Sequence, residues 1–248
     1  NTPQIKNAVT LVMGGHNEYW TNNMRDNLQS AIDRGTNLLI FGGNTGYNRM
    51  RLEDNRKIAM WRSTKSDPFG TVLDKATTAW RMAPIRKPES LLMGSQYIGL
   101  GVSGDFTITH PNRWPFNVMS KPDRLRLVVG REVDSPLYSP GPAVESLATS
   151  EIKVYGQSAT AMATYYNTKA GAGVLDIGTN GWPCAMANIC PWHSNVPSNV
   201  REDIRAVTMN ILSGAAAGPL SKRYPALEEI PARSTSKKLF FPNKRSIR

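Results

Sequence analysis

The stretch NLLIFGGNTGYNRMRLE, residues 37–53, decides the predicted fold of this chain. It opens with an apolar run at residues 38–41, which the pair Gly42-Gly43 ends. A short apolar run closed by glycine is typical of a strand buried on both faces. Paired glycines also let the backbone turn sharply or approach a ligand closely. The polar residues 44–49 are therefore predicted to form a functional loop; the alternative is an ordinary strand-to-loop turn.

The same pattern occurs upstream, where the apolar residues 8–13 run into Gly14-Gly15. Residues 21–34 separate the two predicted strands and carry apolar side chains at helical spacing, so they are predicted to form a helix. A strand, a helix and a second strand in about 34 residues make a βαβ unit, whose two strands are parallel. Residues 8–13 are then expected to form a central strand with neighbours on both sides.

The carboxyl ends of parallel strands meet at one edge of a sheet, where open α/β sheets bind their ligands. The residues that follow these two strands are therefore expected to converge, together with those that follow later apolar runs at residues 125–129 and 173–177. The predicted substrate-pocket residues at these strand ends are Trp20, Thr45, Asn180 and Trp182.

Two of these turns carry a family resemblance. GGHNEYW at residues 14–20 and FGGNTGYNRMRLE at residues 41–53 resemble the C-terminal domain of the N,N-dimethylformamidase large subunit and its relatives. That family has a G-H-[DN]-E-Y-W turn followed by a F-F-G-G-N-x-x-Y turn. Shorter matches extend the resemblance over roughly residues 8–213. It implies a class I glutamine amidotransferase-like fold, hydrolysis of small amides, and one iron held by two tyrosines and a glutamate.

The resemblance implies that Tyr19, Tyr47 and Glu132 bind a mononuclear ferric iron (Fe3+). Because tyrosine titrates near pH 10, it binds as a phenolate only to a strong Lewis acid. Three protein ligands would leave positions for water and for a substrate carbonyl. The alternative for both tyrosines is a ring that packs in the protein with its hydroxyl hydrogen-bonded.

His16, Glu18 and Asn44 are the candidate catalytic residues, which would move protons or hold an oxyanion. The turn where class I amidotransferases place a nucleophilic cysteine carries Asn44-Thr45 instead. Cys184 or Cys190 with the nearby His193 is a weaker alternative as a Cys–His pair. The two cysteines could also form a disulfide, although two buried thiols are the favoured expectation.

The net charge of +11 raises the question of nucleic-acid binding. Residues 221–248 carry eight basic and two acidic residues, so the rest of the chain is only mildly basic and a nucleic-acid partner is not expected. This basic segment is predicted to make few contacts with its own domain, and to be solvated or to wrap a neighbouring subunit. No apolar run approaches the ~18 residues of a membrane span, and the cytoplasm is the favoured compartment.

The predicted fold class is α/β, with a mostly parallel sheet, helices on both faces and a loop-rich insertion at residues 94–122. The domain is predicted to span residues 1–213, preceded by a strand and a helix outside this chain, and followed by an irregular basic tail at residues 214–248. The predicted function is iron-dependent hydrolysis of a small amide, in a homo-oligomer or in a hetero-oligomer that includes a small subunit. The alternative is a non-catalytic binding or assembly module of the same fold.

Overall fold

The computed structural model describes residues 3–121, 123–190 and 195–234. In chain order, its elements are α1 (Pro3–Asn7), β1 (Thr10–Gly14), β2 (Tyr19–Trp20), α2 (Asn22–Asp33), β3 (Asn37–Phe41), β4 (Asn48–Arg49), β5 (Arg51–Glu53), β6 (Lys57–Ala59), α3 (Ser90–Met93), β7 (Gln96–Ile108), β8 (Arg124–Ser135), β9 (Glu145–Val154), β10 (Gln157–Asn167), β11 (Gly173–Asp176), α4 (Gly181–Ala187), α5 (Ser198–Ala216) and α6 (Leu220–Arg223).

Seven of the strands form one mixed sheet in the order β1-β3-β11-β10-β9-β7-β8. The pairs β1–β3 and β3–β11 are parallel, whereas the four other neighbouring pairs are antiparallel. The predicted fold class, a mostly parallel α/β sheet of the glutamine amidotransferase type, is therefore wrong. The parallel pairing expected from the βαβ unit holds for β1 and β3. Most of the later sheet is built from antiparallel strands such as the hairpin of β9 and β10, which Tyr155 and Gly156 join with positive φ angles.

The predicted loop-rich insertion at residues 94–122 is also wrong in its first half, because Gln96–Ile108 forms the long strand β7. Its glycines hide the alternation expected of a strand. The side chain of Ile152 on the neighbouring strand β9 occupies the space beside both Gly101 and Gly104. The apolar side chain that packs on this part of β7 therefore belongs to β9. The sequence of β7 itself does not show it.

The strand β3 lies at the centre of the core, and all five of its residues are buried. Leu38 and Ile40 pack in a cluster with Leu28 and Ile32 of α2, whereas Leu39 and Phe41 belong to the cluster that includes α5. The helix α2 was predicted at residues 21–34, close to its observed bounds. The Thr21 side chain caps α2 by accepting a hydrogen bond from the Met24 backbone nitrogen at 3.2 Å.

The strand β1 lies at one end of the sheet order and pairs with β3 alone among the described strands. Val9 and Val12 are about half exposed, at 50% and 52%. The expectation of a central strand with neighbours on both sides is therefore not met by the described residues of this chain.

The sheet curls, so that its last strand, β8, lies next to the end of the parallel strand β11. In β8, Val133 forms a bridge with Thr179, just after β11. The Asp134 nitrogen donates to the Gly178 carbonyl at 2.9 Å, and the Asn180 nitrogen donates to the Glu132 carbonyl at 3.2 Å. The C-terminal half of β8 thus lies beside the turn that follows β11, although several strands separate β8 from β11 in the sheet.

The basic tail packs on its own domain as far as the structure describes it. The Tyr224 ring stacks on Trp114 at a centroid distance of 4.3 Å. Ile230 forms a bridge with Val144, and Arg233 forms another with Gly141. The prediction of few contacts is therefore wrong for residues 221–234, while residues 235–248 lie outside the described part of the chain. No helix of the described residues combines the length and the apolar character that crossing a membrane requires.

Candidate active site

The turns that follow β1, β3 and β11 converge, as expected for parallel neighbours. They carry His16, Asn44 and Asn180, and all three side chains reach the carboxylate of Glu132. Glu132 was expected after the end of a strand but lies within β8. The curl of the sheet, and not a common strand direction, brings it to this edge. Arg131, immediately before it, has a φ of 58°, which is uncommon for a residue other than glycine.

Two asparagine amides and one imidazole hold the Glu132 carboxylate. Asn44 Nδ2 donates to Oε1 and Asn180 Nδ2 donates to Oε2, each at 2.8 Å. The Nδ1 atom of His16 also contacts Oε2. Burial raises the pKa of Glu132 above its ordinary value, and Glu18 adds to the rise, while Asn44 and His16 partly offset it. The carboxyl is therefore a stronger base than an exposed glutamate.

The imidazole of His16 lies between two carboxylates. Its Nε2 atom is 3.2 Å from Oε2 of Glu18, and its other nitrogen contacts Glu132. Asn48, a residue that the sequence pattern left unassigned, donates to the other oxygen of Glu18. The potential ligand atoms of His16, Glu18 and Glu132 all lie within 4.8 Å of one another. Such a group can relay a proton, and it also offers nitrogen and oxygen donors suited to a first-row metal.

The glycine pair Gly42-Gly43 makes this close packing possible. A Cβ atom on Gly42 would clash with the Gly15 carbonyl oxygen, and one on Gly43 would lie 2.6 Å from the Glu132 carbonyl oxygen. The turn after β3 can therefore touch both the turn after β1 and the strand β8 only because neither position has a side chain. The close approach that the glycine pair was expected to allow therefore occurs between segments of the protein itself.

A cleft of about 520 Å³ opens beside the cluster. Its lining residues are Gly15, His16, Leu100, Arg131, Glu132, Asn180, Pro183 and Cys184. Its volume lies in the range of small-molecule sites. Arg131 and Leu100 were not predicted as cleft residues. The one sequence signal for Arg131 was its position directly before Glu132.

Cys184 and Cys190 form a disulfide, so the favoured expectation of two buried thiols is wrong. A disulfide leaves no thiolate to act as a nucleophile. This removes the basis of the alternative Cys–His pair, whose His193 lies outside the described residues. Cys184 instead contributes to the wall of the cleft.

The Tyr19 hydroxyl contacts the guanidinium of Arg62, whose charged group also lies 5.7 Å from the centre of the tyrosine ring. Burial raises the pKa of Tyr19, and the adjacent Glu18 adds to the rise. The Tyr19 side chain therefore lies near one carboxylate, that of Glu18, and one cation, that of Arg62.

The ring of Tyr47 packs edge-to-face on Tyr97 at 5.2 Å, and the Arg81 guanidinium lies 4.9 Å from its centre. Burial raises the pKa of Tyr47, Arg81 lowers it, and Glu18 is close enough to raise it further. Glu18 also raises the pKa values of Tyr19 and Glu132. Its carboxylate therefore lies close enough to act on all three predicted iron ligands.

Among the four predicted pocket residues, Asn180 lines the cleft. Trp20 and Trp182 are at most 1% exposed and belong to the apolar clusters of the core. Their indole nitrogens donate to Asn17 at 2.9 Å and to Thr208 at 3.0 Å. Thr45 is also buried, and its hydroxyl has no hydrogen-bond partner among the described residues.

Comparison with known families agrees with the motifs of the two turns. A family model described as N,N-dimethylformamidase beta subunit-like, C-terminal, matches residues 2–196. No curated protein matches the chain.

Proposed function

The chain belongs to the N,N-dimethylformamidase beta subunit-like, C-terminal family, and we propose that it hydrolyses a small amide at the cluster of His16, Glu18 and Glu132. The observation that carries the proposal is the contact of the His16 imidazole with two carboxylates at the mouth of a cleft. A histidine oriented by carboxylates is a common arrangement for general acid–base catalysis.

Glu132 and His16 are the proposed proton carriers. Hydrolysis joins a water oxygen to the amide carbon and breaks the C–N bond, and the departing nitrogen gains a proton. Glu132 accepts a proton from the attacking water, because burial raises its pKa and makes it a stronger base than an exposed glutamate. His16, in contact with Glu132, passes a proton to the leaving amine.

Asn180 is the proposed donor to the substrate carbonyl. It lines the cleft, and one N–H of its amide is used on Glu132. The Asn180 nitrogen also lies 3.3 Å from His16 Nδ1. When Nδ1 of His16 carries the proton that faces Glu132, the second N–H of the Asn180 amide can donate to the oxygen on which negative charge develops. Asn44, predicted as an oxyanion donor, supports Glu132 from the other side through its own amide.

Iron is the proposed metal. The available donors suit it, because carboxylates and phenolates supply oxygen atoms and the imidazole supplies nitrogen. The prediction places it on Tyr19, Tyr47 and Glu132. One observation favours Glu18 as the carboxylate of that set: Glu18 lies close enough to Tyr19 and to Tyr47 to raise the pKa of both. Bound iron would supply a Lewis acid that polarises the amide carbonyl.

The test is amine release from N,N-dimethylformamide and related small amides by the purified, iron-loaded protein. Glu132→Gln keeps the shape of the side chain but removes the base, so activity should fall by about 100-fold or more. His16→Ala should have a comparable effect. His110→Ala is the matched control, because His110 also contacts a carboxylate, that of Glu229, away from this cluster. Full activity of Glu132→Gln would overturn the assignment of the site.

A second role in assembly has its own support. The family description refers to a beta subunit. Val12 of β1 and Val9, just before this strand, are about half exposed at the edge of the sheet. We propose that the chain works within an oligomer. Size measurement by light scattering tests this, and an active monomer at assay concentration would contradict it. A stable oligomer without hydrolysis or iron would favour the alternative of a non-catalytic assembly module.

A further inference from the structure

We propose that two buried aspartates, Asp134 and Asp176, position the Glu132 carboxylate by fixing the two turns whose asparagines hold it. Both side chains lie beneath the cluster, and neither touches the cleft. They are positioning residues, since they act through Asn44 and Asn180. The effect on turnover rests on the proposed function, whereas the effect on geometry does not.

Asp134 fixes the turn after β3. Its Oδ1 accepts a hydrogen bond from the Asn44 backbone nitrogen at 2.9 Å, and its side chain is buried. Asn44 has a φ of 58°, a conformation that costs free energy for a residue with a side chain. The hydrogen bond that Asp134 accepts stabilises this conformation, in which the Asn44 amide donates to Oε1 of Glu132.

Asp176 fixes the turn after β11 in the same way. Its Oδ1 accepts from the Gly178 nitrogen at 2.9 Å, two residues before Asn180. Asn180 then donates to Oε2 of Glu132, and its own Oδ1 accepts from the Gly43 nitrogen at 2.9 Å. Each aspartate therefore supports the donor to a different oxygen of the same carboxylate.

The two aspartates also act on each other. Both are fully buried, and burial followed by the charge of Asp176 raises the pKa of Asp134 well above its ordinary value. Burial raises the pKa of Asp176 to about 7. The Ser95 hydroxyl and the Gly178 nitrogen partly offset this rise. Asparagine keeps an Oδ1 acceptor on a side chain of the same shape, so Asp134→Asn should preserve the hydrogen bond from the Asn44 nitrogen.

The experiment compares crystal structures and kinetics of Asp134→Ala, Asp134→Asn and Asp176→Ala in the full chain. Asp134→Ala should lengthen the Asn44–Glu132 contact beyond hydrogen-bonding distance, and Asp176→Ala should do so for the Asn180–Glu132 contact. In each case kcat should fall about 10- to 100-fold with little change in KM, because displacement of a reacting group by about 1 Å has effects of this size. Asp134→Asn keeps the acceptor and should restore the contact and most of the rate.

The matched control is Asp203→Ala, which also removes a buried aspartate that accepts from a backbone nitrogen, that of Ser120 at 2.7 Å. It should lower thermal stability without changing kcat or the Glu132 contacts. Unchanged Glu132 contacts in the two site variants would overturn the inference. Should Asp134→Ala fail to fold, Asp176→Ala decides, since the two make separate predictions. Broken contacts in a protein whose parent shows no hydrolysis would leave the inference standing and overturn the proposed function.

Discussion

The imidazole of His16 contacts the carboxylate of Glu132, although the two residues belong to opposite ends of the sheet. His16 follows β1, the first strand in the sheet order, and Glu132 lies in β8, the last. The contact exists because the curl of the sheet brings β8 to the turns after β3 and β11. The candidate active site is thus the place where the two ends of the sheet meet.

Removing the Asn44 amide should move the acid limb of the pH–rate profile to higher pH. The hydrogen bond from Asn44 lowers the pKa of Glu132, which burial has raised. Its loss should raise that pKa further, and Glu132 is the active base only above its pKa. Asn44→Gly is the suitable variant, because glycine adopts the φ of 58° without strain. The profile of kcat/KM against pH is the measurement. Asn117→Ala is the control, because Asn117 is hydrogen-bonded to Asn210 at 3.1 Å and not to Glu132. An unchanged acid limb in Asn44→Gly would contradict the role of Asn44.

The glycine pair after β3 should tolerate no side chain, whereas Gly14 at the end of β1 should tolerate one. Gly43→Ala places a methyl group against the Glu132 carbonyl oxygen and should both destabilise the protein and reduce hydrolysis by at least about 10-fold. Gly14→Ala meets no atom within 4 Å and should change either property little. Thermal melts and amine release on both variants check this, and equal behaviour of the two would count against the contact.

Iron content should identify the carboxylate ligand. Tyr47→Phe removes a phenolic oxygen while leaving the ring in contact with Tyr97, so iron should be lost with little change in stability. Glu18→Gln should lose iron as well, whereas Glu132→Gln should keep it and lose hydrolysis. Metal analysis and the visible spectrum give the answer, because a ferric phenolate absorbs visible light. Full iron content in both Tyr47→Phe and Glu18→Gln would exclude this set of ligands.

The ion pair beneath Tyr47 should matter far more for stability than a surface pair does. Arg81 contacts Glu89, and both side chains are almost fully buried. Arg81→Ala leaves the Glu89 charge buried without its partner, at a cost of about 3–5 kcal/mol in the free energy of unfolding. Arg124→Ala breaks the exposed pair with Asp105 and should cost less than about 1 kcal/mol. Urea unfolding of both variants measures the two changes in the free energy of unfolding. Equal losses would mean that burial of an ion pair does not determine how much it contributes to stability.

Local sequence predicted the parts of the site that lie on parallel strands. The glycine pairs mark the ends of β1 and β3, so the proximity of His16 and Asn44 followed from the βαβ unit. The position of Glu132 could not be predicted in this way, because it depends on the return of β8 to the turn after β11. That return is set by long antiparallel strands, one of which, β7, lacks a clear alternation at its glycines. Tyr47 illustrates a second limit, since a ring packed against Tyr97 and a metal ligand have the same sequence signal.

The curl of the sheet also bears on how the protein folds. Contacts such as Val133 with Thr179, or His16 with Glu132, join segments that are far apart along the chain. Loop closure over such distances is slow, and proteins dominated by these contacts fold more slowly than proteins rich in local ones. The hairpin of β9 and β10 can form early, whereas the cluster around Glu132 needs both ends of the sheet. Recovery of activity during refolding should therefore lag behind recovery of strand content, and partly folded chains should carry no active site.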